Sequence, residues 1–165
     1  MQILGKYLQL NILLFFVFLT GGLSATPQYY FKQISLQDGL SQSSVKCVLV
    51  DDRGVLWIGT RFGLNRFDRE KVIVYQEEKD NPYSLPYNDI VFLEEDAERY
   101  IWVGTSRGLA RFDRDTRKFA RQEIDGEPVV VTCCFLMPEG VYFLGKKGFF
   151  CYSYAEKRIL KCPEK

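Results

Sequence analysis

The thirteen residues Leu56 to Asp68 (LWIGTRFGLNRFD) are written again, nearly unchanged, at Ile101 to Asp113 (IWVGTSRGLARFD), 45 positions on. A repeat of that period narrows the fold more than any other feature. Each unit must be one supersecondary piece that cannot bury its faces alone and stacks on copies of itself. The same shift aligns Val45 with Ile90, Asp51 with Asp96, Trp57 with Trp102, and Gly59 and Gly63 with Gly104 and Gly108. A third, shorter copy fits YFLGKKGFFCY (Tyr142 to Tyr152), with Phe143 expected at the Trp position, Gly145 and Gly148 at the glycines, and Cys133 in the place of Cys47.

Inside each copy the pattern is short apolar strands between turn residues. Val45 to Val50 ends at DDRG, whose Asp and Gly favour a tight turn; LWIGT, LNRFD and KVIVYQ follow as further strands. Copy two repeats this as IVFLEE, YIWVGT, LARFD and KFARQ. No window outside the N-terminus sustains helical periodicity. The expected fold is therefore all-β: four-stranded antiparallel β-propeller blades of about 45 residues, about three of them, forming an incomplete propeller. The repeats fall roughly at 41–85, 86–126 and 127–165. Trp57 and Trp102 should fill the gaps between blades, a ligand-stacking role being the alternative.

Residues 1–25 read as a signal peptide ahead of a propeller portion, 26–165. They carry Lys6, no acid, the apolar run ILLFFVFL and the small residues TGGLSA. That run is shorter than the roughly 20 residues a membrane-spanning helix needs, which disfavours the alternative of an uncleaved anchor. With Lys6 set aside, 21 of the 22 basic residues face 21 acidic ones, a balance without the basic footprint of a nucleic-acid binder. The five cysteines (Cys47, Cys133, Cys134, Cys151, Cys162) have an odd count and no framework or zinc spacing. Free thiols packed as small hydrophobes are expected, with a Cys151–Cys162 pair as the alternative. The chain contains no His, which excludes Ser-His-Asp and Cys-His catalysis and a phosphoacceptor histidine.

The string D-x-x-G-x-L-W-I-G-T-x-x-G-L-x-R-F-D, here Asp51 to Asp68, resembles the two-component regulator propeller repeat, and FKQISLQDGLSQSSV (Phe31 to Val45) resembles the opening of such domains. The resemblance implies the N-terminal periplasmic sensor region of a hybrid two-component system. There a long propeller region is followed by a β-sandwich, a transmembrane helix, a histidine kinase and often a DNA-binding regulator. It also implies a response to oligosaccharides released from complex glycans. This chain has no kinase motif and about three blades, whereas closed propellers typically have about four to eight. A fragment of a longer sensor is the expectation; a decayed remnant, or a chain that assembles with others, are the alternatives. Gln28 to Leu36 (QYYFKQISL) is expected as a strand able to complete a last blade. Bare blade edges invite pairing with the missing blades or with another copy.

The functional expectation is a ligand-sensing module without catalysis or cofactor. Ligand contacts would come from loops at one end of the blades. Arg61 and Phe62, their counterparts Ser106 and Arg107, and Tyr83 and Tyr87 are candidates by composition; the competing reading makes the arginines solvated turn residues and the tyrosines packing groups. No catalytic, cofactor-binding or metal-ligating residue is assigned, and the ligand-binding set stays open. The alternatives are a scaffold for protein–protein interaction and a polysaccharide-active enzyme. The acids Asp51, Asp52, Glu94, Glu95 and Asp96 fall in turns or strand ends, with nothing to set two of them across a cleft. Asp68 and Asp113 read as turn formers.

Overall fold

The structure is a computed structural model that describes Gln28 and residues 30–162. The expected signal peptide lies outside these residues. A compact unit begins at Ile34 and contains three antiparallel sheets. The first has the order β1 (Val45–Val50), β2 (Leu56–Thr60), β3 (Gly63–Phe67), β4 (Val72–Tyr75). The second runs β5 (Ile90–Glu95), β6 (Ile101–Thr105), β7 (Gly108–Asp113), β8 (Lys118–Ile124), with the short β9 (Glu127–Pro128) on its edge. The third is β10 (Val131–Met137), β11 (Gly140–Gly145), β12 (Gly148–Ser153), β13 (Arg158–Lys161). Three sequential four-stranded meanders are the blades that the repeat predicts.

Identical local chemistry builds the first two blades. Thr60 Oγ1 donates to the Gly63 carbonyl at 3.0 Å and accepts from Phe62 N, and Thr105 Oγ1 donates to the Gly108 carbonyl at 2.7 Å. Each closes a two-residue hairpin between the second and third strands. Each first strand bulges at the same place, between Val45 and Cys47, Ile90 and Phe92, Val131 and Cys133. The residue after the bulge lies over a glycine in the first two blades, and there a side chain has no room. A Cβ on Gly104 would stand 2.1 Å from the Phe92 ring, and one on Gly59 2.4 Å from Cys47 Sγ. Gly104→Ala should therefore cost about 1–3 kcal/mol as an overpacked site. The loss should largely vanish in the Gly104→Ala/Phe92→Ala double variant when both are measured against Phe92→Ala in urea melts. Equal losses in both backgrounds would refute the steric account.

Two aromatic layers join the blades. Trp57 is fully buried against the second sheet, with Phe112 at 5.3 Å between ring centroids and Tyr75 stacked at 6.2 Å. Trp102 is fully buried against the third, with Phe143 at 4.9 Å and Tyr152 at 5.0 Å. An aromatic side chain that loses about 150–250 Å² of exposed surface at about 25 cal/mol per Å² gains about 4–6 kcal/mol, so these two seams dominate blade-to-blade adhesion. The tryptophans are packing devices, as their repetition suggests.

Two expectations are corrected. The described part of Gln28–Leu36 forms no strand. Ser35 instead caps a 3-10 turn, Leu36–Asp38: its hydroxyl accepts from Gln37 N while its own N–H donates to Asp38 Oδ2 at 2.8 Å. This reciprocal box satisfies the backbone locally and turns the chain. Ser41 N then donates to Asn65 Oδ1 at 2.7 Å, tying the DGLS phrase to the first blade. In the third copy, Gly145 pairs with Gly148 as Thr105 does with Gly108. Counting back from that pair puts Tyr142, not Phe143, at the tryptophan position, and Phe143 at the place of Val103. Cys133 does stand at the place of Cys47, since each follows the bulge. Phe149, the counterpart of the fully buried Leu64 and Leu109, is 54% exposed. The outward faces of the first and third blades thus keep apolar side chains in solvent, Val45 and Val48 on one, Phe149 on the other.

Candidate functional site

The hairpin tips of the second and third blades border a groove of about 620 Å³. Ser106 and Arg107 from the β6–β7 turn stand on one side, and Lys146 and Lys147 from the β11–β12 turn on the other, with Asp125, Glu127 and Lys161 completing the polar rim. Ile124, Pro128, Val129 and Phe150 supply the apolar lining. An apolar lining with a few charged groups around it is the usual composition of a ligand site. Arg107 is held in place: its guanidinium lies 4.1 Å from the Tyr87 ring centre, a cation–π contact that fixes the side chain at the mouth.

The sequence candidates therefore separate. Ser106 and Arg107 line this groove, and Tyr87 lies against the Arg107 guanidinium. Arg61 and Phe62 occupy the matching turn of the first blade, where Gln76 Nε2 donates to the Phe62 carbonyl at 2.8 Å and the Phe62 ring is exposed. Tyr83 is elsewhere: Phe119 N donates to its carbonyl at 3.0 Å, and Lys118 sits 4.6 Å over its ring, at the start of β8. Arg121 gathers the rest of the Asn81 to Asn88 loop, donating to the carbonyls of Asn81, Ser84 and Leu85 and to the Ser84 hydroxyl. Lys146 and Lys147 escaped the sequence reading, although the Gly145–Gly148 phrase marks the third-blade hairpin whose tip they form.

The opposite end holds the acids. Asp51 is 5% exposed and works as a turn clamp: Oδ1 accepts from Arg53 N and Val55 N, and Oδ2 accepts from Trp57 Nε1 at 2.9 Å. Asp96 repeats this with Glu98 N, Tyr100 N and Trp102 Nε1, the last at 2.7 Å. Both are structural carboxylates. Arg114, with 6% of its side chain exposed, reaches Asp51 at 3.2 Å, Asp52 at 2.7 Å and Glu95 at 2.8 Å. Its hydrogen bond and charge hold Asp52 below the usual carboxylate range, whereas burial pushes Glu94 up. Asp68 and Asp113 are turn formers, accepting from the backbone N–H groups of Glu70 and Lys71 and of Asp115 and Thr116.

All five cysteines are free and half-buried. Burial pushes the Cys47 thiol up to about 11 and the Cys134 thiol up to about 12, so both are protonated at neutral pH and pack as small apolar groups.

Comparison with known proteins bears on the repeat. Residues 39–62 match the family model of the two component regulator propeller. Histidine kinase P4 of Formosa agariphila is 41% identical over 71 residues, which are 42% of this chain and 5% of that protein. The extracellular domain of the one component system BT4673 from B. thetaiotaomicron superposes with a TM-score of 0.62 at 23% identity, over 79% of this chain and 19% of that one. Virginiamycin B lyase from Staphylococcus aureus superposes at 0.53 with 14% identity, over 73% and 42%. These structural likenesses establish the propeller-blade fold, and the chain spans only a small part of the proteins it resembles. With the blade register and the buried tryptophans in agreement, the chain has a propeller-blade fold in which residues 39–62 match the two-component regulator propeller repeat.

Proposed function

We propose that this chain is the ligand-sensing propeller module of a two-component sensor, lying in the periplasm, and that its hairpin-tip groove takes an oligosaccharide released from a complex glycan. The observation that carries the reading is the groove itself. Ile124, Val129 and Phe150 offer apolar surface to the C–H faces of sugar rings, while Arg107, Lys146 and Asp125 offer donors and acceptors to hydroxyl groups. A histidine kinase relative and the extracellular origin of a matched structure support the sensor assignment. The module binds and does not turn its ligand over. In this reading the exposed apolar faces of the first and third blades meet further blades of a longer sensor, or a second copy.

Isothermal titration of the chain against a panel of plant and algal oligosaccharides tests the proposal. The expected result is saturable binding of at least one oligosaccharide, weakened at least tenfold by Arg107→Ala, with no sugar released. Arg107→Ala leaves the blade seams intact, so its melting curve should match the parent's. Binding unaffected by Arg107→Ala would remove the groove from the reading, and sugar release would replace the sensor with an enzyme.

A further inference from the structure

The two blade seams provide an internal comparison. Between the second and third blades, Lys157 of the β12–β13 turn forms an ion pair with Glu98 of the β5–β6 turn. Arg111 lies 4.0 Å over the Tyr100 ring and donates to the Tyr152 hydroxyl. Lys157 there has an acidic partner, and rings and a hydroxyl surround the Arg111 guanidinium.

Register maps each of these positions onto the seam between the first and second blades. Arg117 stands where Lys157 does, and both have the same left-handed backbone, with φ of 58° and 54°. Glu98, however, is replaced by Arg53. A cation faces the place where a cation already stands. Tyr100 becomes Val55 and Tyr152 becomes Phe112, so Arg66, the counterpart of Arg111, loses both the ring and the hydroxyl it would have met. The result is a cavity of about 140 Å³, lined by Arg53, Arg66, Arg114 and Arg117 with Val55, Tyr75 and Phe112, and with Asp51 as its one carboxylate.

The charges are incompletely matched. Asp51 is taken up by the Trp57 indole and Arg114. Arg66 pairs with Asp68 at 3.3 Å, and Arg53 approaches the exposed Asp115 only to 3.7 Å. Arg117 forms no ion pair among the described residues. The Arg114 Nε is buried with no aligned acceptor among them. Arg66 and Arg117 line the same cavity as Tyr75, and their charges oppose the burial that pushes the Tyr75 hydroxyl up.

We propose that this cavity is an oxyanion site, in which Arg53, Arg66, Arg117 and the Tyr75 hydroxyl receive a sulfate or phosphate group, either free or carried on a sugar. Guanidinium groups present planar forks of donors that suit such oxygens. The volume accepts a group of a few heavy atoms, being about five times the roughly 30 Å³ share of one water. Because the site lies at the end of the blades opposite the hairpin-tip groove, it stands or falls independently of the oligosaccharide reading.

The test is calorimetric titration of the full chain with potassium sulfate and with potassium phosphate, at ionic strength held constant by chloride. The expected result is saturable binding of one anion per chain, at least tenfold weaker in Arg117→Gln. A second variant, Arg53→Glu, restores the acid that the other seam carries. It should abolish anion binding and raise the melting temperature in chloride alone, which also shows that it folds. Glucose 6-phosphate distinguishes the sources: binding of it, with neither inorganic anion bound, assigns the group to a sugar. The proposal is overturned by the absence of saturable binding of all three probes, or by affinities unchanged in both Arg117→Gln and Arg53→Glu.

Discussion

Replacing Trp102 with Ala should destabilise the chain by about 3–5 kcal/mol, the usual cost of deleting a large buried aromatic. Trp57→Ala should fall in the same range. Against the roughly 5–15 kcal/mol by which whole domains are stable, either variant loses a large share of its folding free energy. The sharper comparison uses Phe. Trp→Phe keeps most of the ring but removes the indole donor from a buried aspartate, and an orphaned buried acceptor costs about 1–3 kcal/mol. The two sites should differ. Asp51 Oδ2 still has Arg114 at 3.2 Å when Trp57 becomes Phe. Asp96 Oδ2 has Trp102 Nε1 as its partner, and Tyr154 stands in the place of Arg114. Trp102→Phe should therefore cost more than Trp57→Phe, and the same difference should appear between the two alanine variants, which lose the same donor. Urea melts of the four variants check this; a larger loss in Trp57→Phe would show that the arginine does not compensate.

The blades were readable because their cause is local. Trp57 and Trp102 repeat at a fixed period, Thr60 and Thr105 sit where hairpins turn, and Gly104 leaves the room that Phe92 needs. The threonines and Gly104 are dictated by their own blade, and the tryptophans by a seam that the repeat writes twice. What was not readable depends on pairs of blades. Nothing in the phrase DDRG announces that Arg114 of the next blade, 63 positions on, lies against Asp51. The groove escaped for the same reason: Arg107 carries a visible signal from its turn, but Lys161 and Phe150 join it only through the stacking of one sheet on the next. The missing N-terminal strand is the opposite case. QYYFKQISL has strand composition, yet the S-x-x-D box at Ser35 and Asp38 satisfies the backbone nearby.

Arg114 is expected to be the other site of large effect. Its guanidinium is the common counter-ion of Asp51, Asp52 and Glu95, whose side chains are 1%, 36% and 14% exposed. Arg114→Met keeps the apolar stem and deletes the charge, leaving Asp51 and Glu95 as buried carboxylates without a cation. Breaking a buried pair from one side costs about 3–5 kcal/mol. The pH dependence identifies the cause. Arg114 holds Asp52 below its ordinary range, so the stabilisation it provides is fully present above the unfolded carboxylate value and disappears as pH falls through the depressed folded one. In the variant Asp52 and Glu95, without the cation, take up protons at higher pH than in the parent, which removes their mutual repulsion and the burial cost of Glu95. The gap between parent and variant should thus be widest near pH 7 and shrink below about pH 4, where carboxylates ordinarily protonate. Arg114→Lys should lie between them, since one ammonium cannot span the three acids. Chemical denaturation of the three proteins at pH 7 and at pH 3.5 decides the matter. A loss in Arg114→Met that is the same at both pH values would make this residue a packing stem, and the charge cluster around it irrelevant to how the first two blades hold together.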